Sequence, residues 1–456
     1  MRNFLISAGF LLATLTSFSQ TFTPEKFGAR IDDGKDDAPA FQRMFDAIPN
    51  NSRRVVIELQ PGTYSIASTV TYPKYNDRTT FIYGKGAVLH AVGSDYDILT
   101  PGKYWNGTDL KSIHGVTVED ALFANDRIVI EDVRFENGRT QLRIVSSYLS
   151  VISRCQFVGG YRGFDGVFAL QTSIENCWFN SFIYEGILLR SGQGDPMTEE
   201  DKYFSDATGS NSQSNISTIS NCRIFANKPG RIGIRAYASS NLTVENTVIE
   251  GAAYKYAVHL DGRRSTTVVG ATLRNIHLEF VGDETITEAL IYARAMGTIF
   301  AEGIYSQFGR CIQLHANACR RIYVREWPYY PGGGFKAEGG GYWFFDNNWN
   351  MSEDDYLDSA FWNGGEIPWY VCHRQNEPNW RIDHGYANGL YGGEYGLGIA
   401  DGKVDHQVDS YINTNKSEFK NPKDLSEYEV VQWIPFTMKD QEGNMVTNYI
   451  PILGKK

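Results

Sequence analysis

From about residue 128 the chain repeats a short pattern: an apolar residue, two polar ones, a small residue, a variable one, then an apolar or aromatic one. It reads IEDVRF from Ile130, ISRCQF from Ile152, IENCWF from Ile174 and ISNCRI from Ile219. VENTVI from Val244, LRNIHL from Leu273 and FAEGIY from Phe300 continue it. The first two steps are both 22 residues, later ones are a little longer, and one is doubled by an insertion. A second apolar segment follows in the later units: GILLR from Gly186, GIRAY from Gly233, AVHLD from Ala257, ALIYA from Ala289 and CIQLH from Cys311. Short strands recurring at this period predict an all-β parallel β-helix. Propeller blades need a longer period, and the regular leucines of a horseshoe are missing. Asn176, Asn221, Asn246 and Asn275 recur at one position, predicted as a corner where stacked amides satisfy the bent backbone.

Upstream, Asp36 or Asp37 is placed to cap a helix that carries Pro39 in its first turn. Phe41, Met44, Phe45 and Ile48 share one face of it, and this helix is expected to cover the open end of the stack. RRVVIELQPGTYSI then reads as a strand, a Pro-Gly turn and a second strand.

FGARIDDGKDDAPAFQ together with IELQPGTYSI resembles the N-terminal cap and first rung of the pectate-lyase-like β-helix superfamily. The likeness covers residues 24 to about 325. It implies a single-stranded, right-handed parallel β-helix with an N-terminal capping helix. That group includes polysaccharide lyases, polygalacturonase-like hydrolases and phage tailspikes, so the resemblance implies a fold more than a reaction.

Residues 1–20 carry one Arg, an apolar stretch from Phe4 to Leu15 and small residues before Gln20, the pattern of a cleaved export signal. The organisation expected is a signal at 1–20, a β-helix with its cap at 21–325, and an irregular, aromatic-rich C-terminal cap or extension at 326–456. No segment is long and apolar enough to predict a membrane span. The expected location is therefore periplasmic or secreted, as a monomer or a trimer. A formal net charge of −10 argues against a nucleic-acid partner and makes any basic patch a local feature. Cys155, Cys177 and Cys222 share one repeat position, which predicts a buried stack of thiols. Six of the nine tryptophans fall between Trp327 and Trp380, as a cap over the last rung with one or two facing a ligand.

Side chains alternate across a strand, so the second segments have an inward and an outward set. Ile187, Leu189, Ile234, Ala236, Val258, Leu260, Ile312 and Leu314 are expected inside. Outward columns then carry Tyr184, Leu188 and Arg190; Arg231, Arg235 and Tyr237; Lys255, His259 and Asp261; Gln313 and His315. This register stacks Arg231 on Lys255, Arg235 on His259 and Tyr237 on Asp261, about 4.8 Å apart. Stacked cations repel, so a solvent-facing ladder of this kind needs an anion to offset them. The bland alternative is a set of splayed side chains paired with Glu185, Glu250 or Glu279.

An acidic polysaccharide or oligosaccharide is the partner that fits an exported β-helix with a basic face. Arg235 and Arg231 would neutralise a uronate carboxylate, and His259 would remove the C5 proton. Tyr237 would protonate the leaving O4, or His259 and Tyr237 would exchange these roles, and Lys255 is a third candidate base. Arg190, Arg231, Asp261, His315 and Gln313 would bind substrate. The reaction is β-elimination: a polysaccharide lyase, or a dehydratase where O4 is free. A glycoside hydrolase needs two carboxylates, and only Asp261 stands on the predicted ladder. A tailspike-like or adhesin-like glycan binder is the non-enzyme alternative. No cofactor and no metal ligand set is predicted; the acidic insertion at 194–206 lacks a calcium-loop spacing.

Overall fold

The two apolar positions of each repeat lie on one side of their strands, and stacking turns them into continuous columns. The computed structural model describes residues 20–75, 77–105, 110–112, 126–190, 214–262, 269–306, 311–327, 333–339 and 341–346, and strands at 369–373, 381–384, 428–439 and 445–455. Ile130, Ile152, Ile174 and Ile219 align across successive rungs. So do Phe135, Phe157, Phe179 and Ile224. All of these are buried, and the phenylalanine rings stack at 5.2 and 4.6 Å. Cys155, Cys177 and Cys222 lie in the same interior as free thiols.

Among the described residues the rungs form two large sheets, one of 18 strands and one of 11. Pairing along the stack is parallel, which makes the molecule a parallel β-helix. Strands of the larger sheet alternate between buried and half-exposed positions, as in Arg127–Glu136. In one outward column like charges are kept from adjacent rungs. Glu131, Ser153, Glu175, Ser220, Glu245, Arg274, Glu302 and Arg325 follow one another in a single column. Arg274 and Arg325 both pair with Glu302.

The asparagine corner is real and its cause is conformational. Asn176, Asn221, Asn246 and Asn275 have φ of 55, 52, 49 and 51°, in the left-handed region that asparagine tolerates better than most residues. Asn275 Nδ2 donates to Asn246 Oδ1 at 3.2 Å. Gly303 occupies the same corner, where a Cβ would meet the Asn275 amide oxygen at 2.7 Å.

The helix spans Ala38–Asp46 and buries Phe41, Met44 and Phe45. Phe41 meets Tyr64 edge-on at 5.2 Å and Phe45 lies 6.3 Å from Tyr72, so the helix packs on the first rung. Asp36 Oδ1 accepts the Ala38 N–H, while the Asp37 carboxylate accepts from Arg30 and Ser65. The predicted strands are Arg54–Glu58 and Thr63–Ile66.

Parallel pairing continues past residue 325, through Tyr342–Asp346 to Trp369–His373. Trp327 and Trp343 are fully buried, each about 6 Å or less from the Phe335 ring. The tryptophans near the end of the predicted cluster, residues 1–19 and the acidic insertion lie outside the described side chains. No helix of the described residues is long and apolar enough to cross a membrane.

Candidate functional site

The smaller sheet departs from the alternating pattern. Glu185–Arg190, Ile232–Tyr237 and Tyr256–Asp261 are buried at every position. Inward residues are the expected ones: Ile187, Leu189, Ile234, Ala236, Val258, Leu260 and Leu314 all lie in the main core. The opposite face is therefore covered as well. Leu188 and Tyr237 form a separate apolar cluster there, as do Ile232, Tyr256 and Ala289.

The register on that face is the predicted one. Arg235 pairs with His259 and Tyr237 with Asp261 on adjacent rungs. The column of Arg235 runs Arg143, Asp165, Leu188, Arg235, His259, Tyr292, His315 and Lys336. Exposure corrects the expectation of a solvent-facing ladder: Arg235 is 2% exposed, Tyr237 0%, His259 6% and Asp261 1%. The half-exposed residues of this face, Tyr184, Arg231, Tyr292, Arg294, His315 and Lys336, form its rim.

His259 stands among phenols. Its ring centroid lies 5.6 Å from Tyr237, 5.1 Å from Tyr256 and 5.1 Å from Tyr292. Arg235 lies 5.1 Å over the Tyr184 ring and 5.4 Å over Tyr237, and its Nη1 donates to the Tyr184 hydroxyl at 3.2 Å. Guanidinium, imidazole and phenol thus share one small volume.

Two carboxylates belong to the same patch: Asp165, which the sequence did not single out, and Glu185, expected only as an ion-pair partner of the ladder. Glu185 is fully buried; Arg162 Nε donates to it, and Arg235 Nε is 3.3 Å from its other oxygen. Asp165 is also fully buried, between Arg143 and Arg190. Burial alone would push the Asp165 carboxyl up, but the Arg190 and Arg143 guanidiniums hold it well below the usual carboxylate range. Arg143 also reaches Asp97 at 2.6 Å. The signal for these residues was the glycine column. Gly163, Gly186 and Gly233 each point a missing Cβ at the core phenylalanine or isoleucine of the next rung: Phe179, Ile224 and Ile249. Extending that column back to Gly163 puts Asp165 in line with Arg235.

Several expected ligand contacts are reassigned. Arg190, buried at 3%, is committed to Asp165 and is part of the scaffold rather than an open arginine. Gln313 is not on the ladder. It is fully buried and precedes Leu314 as Ala257 precedes Val258 and Leu290 precedes Ile291, both of them core positions. Ile312, expected inside, packs instead with the outer Ile232, Tyr256 and Ala289 cluster. The strand bends between the two inward residues of each rung, which shifts the alternation by one and defeats simple parity.

Arg231 and Lys255 are neighbours, since the Lys255 N–H donates to the Arg231 carbonyl at 2.9 Å. They sit four residues ahead of the Arg235 and His259 column, at most about 13 Å along the strand. The Lys255 ammonium is 3.3 Å from Glu288 and 44% exposed, so it is engaged in an ion pair at the rim. His315 is two rungs from His259, about 10 Å. Its Nε2 lies 3.1 Å from Glu338, which also binds Lys336 at 2.6 Å and Asn317 at 2.8 Å. Burial pulls the His315 imidazole below its ordinary range against the opposing pull of Glu338. Glu250 and Glu279 serve the other sheet, pairing with Arg223 and His277. Among the described residues no cluster of three or more His, Cys, Asp or Glu is arranged to hold a metal ion.

Residues 105–285 match the family model described as a right handed beta helix region. No curated protein matches the sequence. Solved structures with similar folds include the catalytic unit of a thermostable alpha-1,3-glucanase from Streptomyces thermodiastaticus, at 11% identity and TM-score 0.41. The match covers 72% of this chain and spans 63% of that one. A Family 28 exopolygalacturonase from Yersinia enterocolitica gives 10% identity and TM-score 0.36, covering 72% of this chain and 71% of that one. A tailspike of an Acinetobacter phage gives 14% identity and TM-score 0.45, covering 87% of this chain and 67% of its own. At these identities the likeness is one of fold.

Proposed function

We propose that the protein is an exported carbohydrate-active enzyme that acts on a uronate-containing polysaccharide or oligosaccharide by β-elimination. The observation that carries this reading is the pairing of Arg235 with His259, with Tyr237 against both. Arg235 neutralises the uronate carboxylate and stabilises the enolate-like charge that develops there. His259 takes the C5 proton. The electron pair left behind forms the C4–C5 double bond as the C4–O4 bond breaks, and Tyr237 gives its phenolic proton to O4. A glycosidic O4 makes the enzyme a lyase; a free O4 hydroxyl makes it a dehydratase.

A second reading, glycoside hydrolysis, is favoured by Glu185, which adds a buried carboxylate to the patch that holds Asp261. Its engagement with Arg162 and Arg235 argues for a structural role instead. Incubation with a panel of acidic polysaccharides separates the readings. Ultraviolet absorbance from an unsaturated uronate supports elimination. New reducing ends without that absorbance identify a hydrolase, and binding without either product identifies a glycan-binding protein.

A further inference from the structure

Counter-charges divide the basic residues of the smaller sheet's outer face into two groups. Arg143, Arg162, Arg190 and Arg235 are held by Asp97, Asp165 and Glu185. Lys255 is held by Glu288 and Lys336 by Glu338. Arg231 and Arg294 are the exceptions: among the described residues neither guanidinium makes an ion pair or a hydrogen bond. Arg231 also keeps its Nε buried with no acceptor. Both side chains are half-buried, at the rim of the patch.

Their placement brackets the proposed chemistry. Arg231 lies beside Lys255 on the rung before His259, at the start of its strand. Arg294 pairs with Asp261 on the rung after His259, two residues beyond it. The two arginines are offset by six residues and two rungs, at most about 22 Å apart at their Cα atoms. That distance accommodates several sugar rings, with His259 between its ends.

We propose that Arg231 and Arg294 are two further anion contacts, one on each side of the reacting sugar. The ligand is then a glycan bearing acidic groups on more than one residue, lying obliquely across the rungs. Carboxylates of a polyuronate and sulfate esters of a sulfated uronan share the required chemistry. A guanidinium offers either one a forked pair of donors. The proposal rests on the acidic-glycan reading above and adds the number and position of the charges.

The test uses the full chain with polygalacturonate, hyaluronan, chondroitin sulfate, neutral dextran and the single sugars galacturonate and glucuronate as probes. Affinity is measured for the wild type, Arg231→Gln, Arg294→Gln and the double variant at low and moderate salt. Arg274→Gln, on the other sheet and paired with Glu302, controls for net charge. The wild type is expected to bind at least one polyanion and to ignore dextran. Each rim substitution should weaken that binding about tenfold and flatten its salt dependence. Arg231→Lys should recover part of the loss, Arg274→Gln should change little, and single-sugar galacturonate or glucuronate should bind all variants alike. Preference for chondroitin sulfate over the unsulfated probes assigns the contacts to sulfate; the reverse assigns them to carboxylate. A double variant that keeps wild-type affinity and salt dependence, with a melting temperature showing it is folded, overturns the proposal and leaves the acidic-glycan reading intact. A wild type that treats polyanions and dextran alike removes that reading, and the proposal with it.

Discussion

Arg190 reaches back across one rung and grips Asp165 with two hydrogen bonds, Nε to Oδ1 at 2.6 Å and Nη2 to Oδ2 at 2.8 Å. Both residues are buried, on the outer side of a sheet whose inner side is a hydrocarbon core. Arg143 and Arg162 converge on the same carboxylate, at 2.8 and 3.8 Å. One anion therefore organises three cations beneath the Arg235 and His259 pair. The ion network is the floor of the site, and it fixes the guanidiniums before any ligand arrives.

Removing that anion should be severe. Asp165→Asn removes the carboxylate that buried Arg190 grips with two hydrogen bonds, while Arg143 keeps Asp97; breaking one side of a buried pair costs about 3–5 kcal/mol. Urea unfolding should show the loss as a lower midpoint at unchanged slope. The paired replacement Asp165→Leu with Arg190→Met removes both charges together and is expected to recover most of it. A single variant within about 1 kcal/mol of wild type, the range of a surface pair, would show that the network is solvated and not a structural floor.

The chemical roles of His259 and Tyr237 make a separate claim. His259→Gln and Tyr237→Phe should each lower turnover about 10²- to 10⁴-fold, the ordinary worth of a positioned acid or base. Neither substitution removes Arg235, so binding of a polyanion should survive. Single-turnover assays beside equilibrium binding give both quantities. Equal losses of binding and turnover would make these residues packing elements, with chemistry elsewhere.

The sequence made the columns legible because a parallel stack converts a repeat into a register. Matched letters at matched offsets become neighbours, and Arg235 does face His259. Parity failed where the chain bends between two inward residues, which is why Gln313 was placed on the wrong side. Exposure was illegible for a different reason. Whether an outward column meets water depends on chain far away in sequence, and no local pattern reports it. Glu185 was legible only as an ion-pair partner of the ladder, and Asp165 was missed because the repeat of second segments was read from Gly186 onward, one rung too late to include it.

Acid should strain the far end of the same face. Burial holds His315 below its ordinary range, so the folded protein prefers the neutral imidazole while the unfolded chain protonates near pH 6.5. The stabilising contribution is present above that pH and is lost as pH falls through the lowered folded value. Glu338, lowered chiefly by Lys336, behaves in the same direction at more acidic pH, below its ordinary value. His315→Gln should therefore flatten stability between about pH 7 and 5, read as melting temperature against pH. An unchanged slope would mean that the imidazole gains its proton freely in the folded state.

One corner position invites the opposite change, a gain in stability. Arg154 has φ of 53° in the column otherwise held by Asp132, Asn176, Asn221, Asn246, Asn275 and Gly303. An arginine pays the full Cβ penalty of that conformation, of order 1–2 kcal/mol, whereas asparagine visits it readily. Its compensation is a pair with Glu131 at 2.9 Å, with the arginine side chain 57% exposed, a contact that contributes about 0–1 kcal/mol. Relief should outweigh the lost pair, so Arg154→Asn is expected to stabilise by roughly 0.5–1 kcal/mol. Glycine would also fit the corner, but it loosens the unfolded chain and so blurs the comparison. Arg154→Ala separates the two effects, because it loses the ion pair and keeps the strained backbone. The order expected in thermal melts is Asn above Arg above Ala. Finding Asn at or below Ala would mean that the Glu131 pair, and not the corner's handedness, governs this rung.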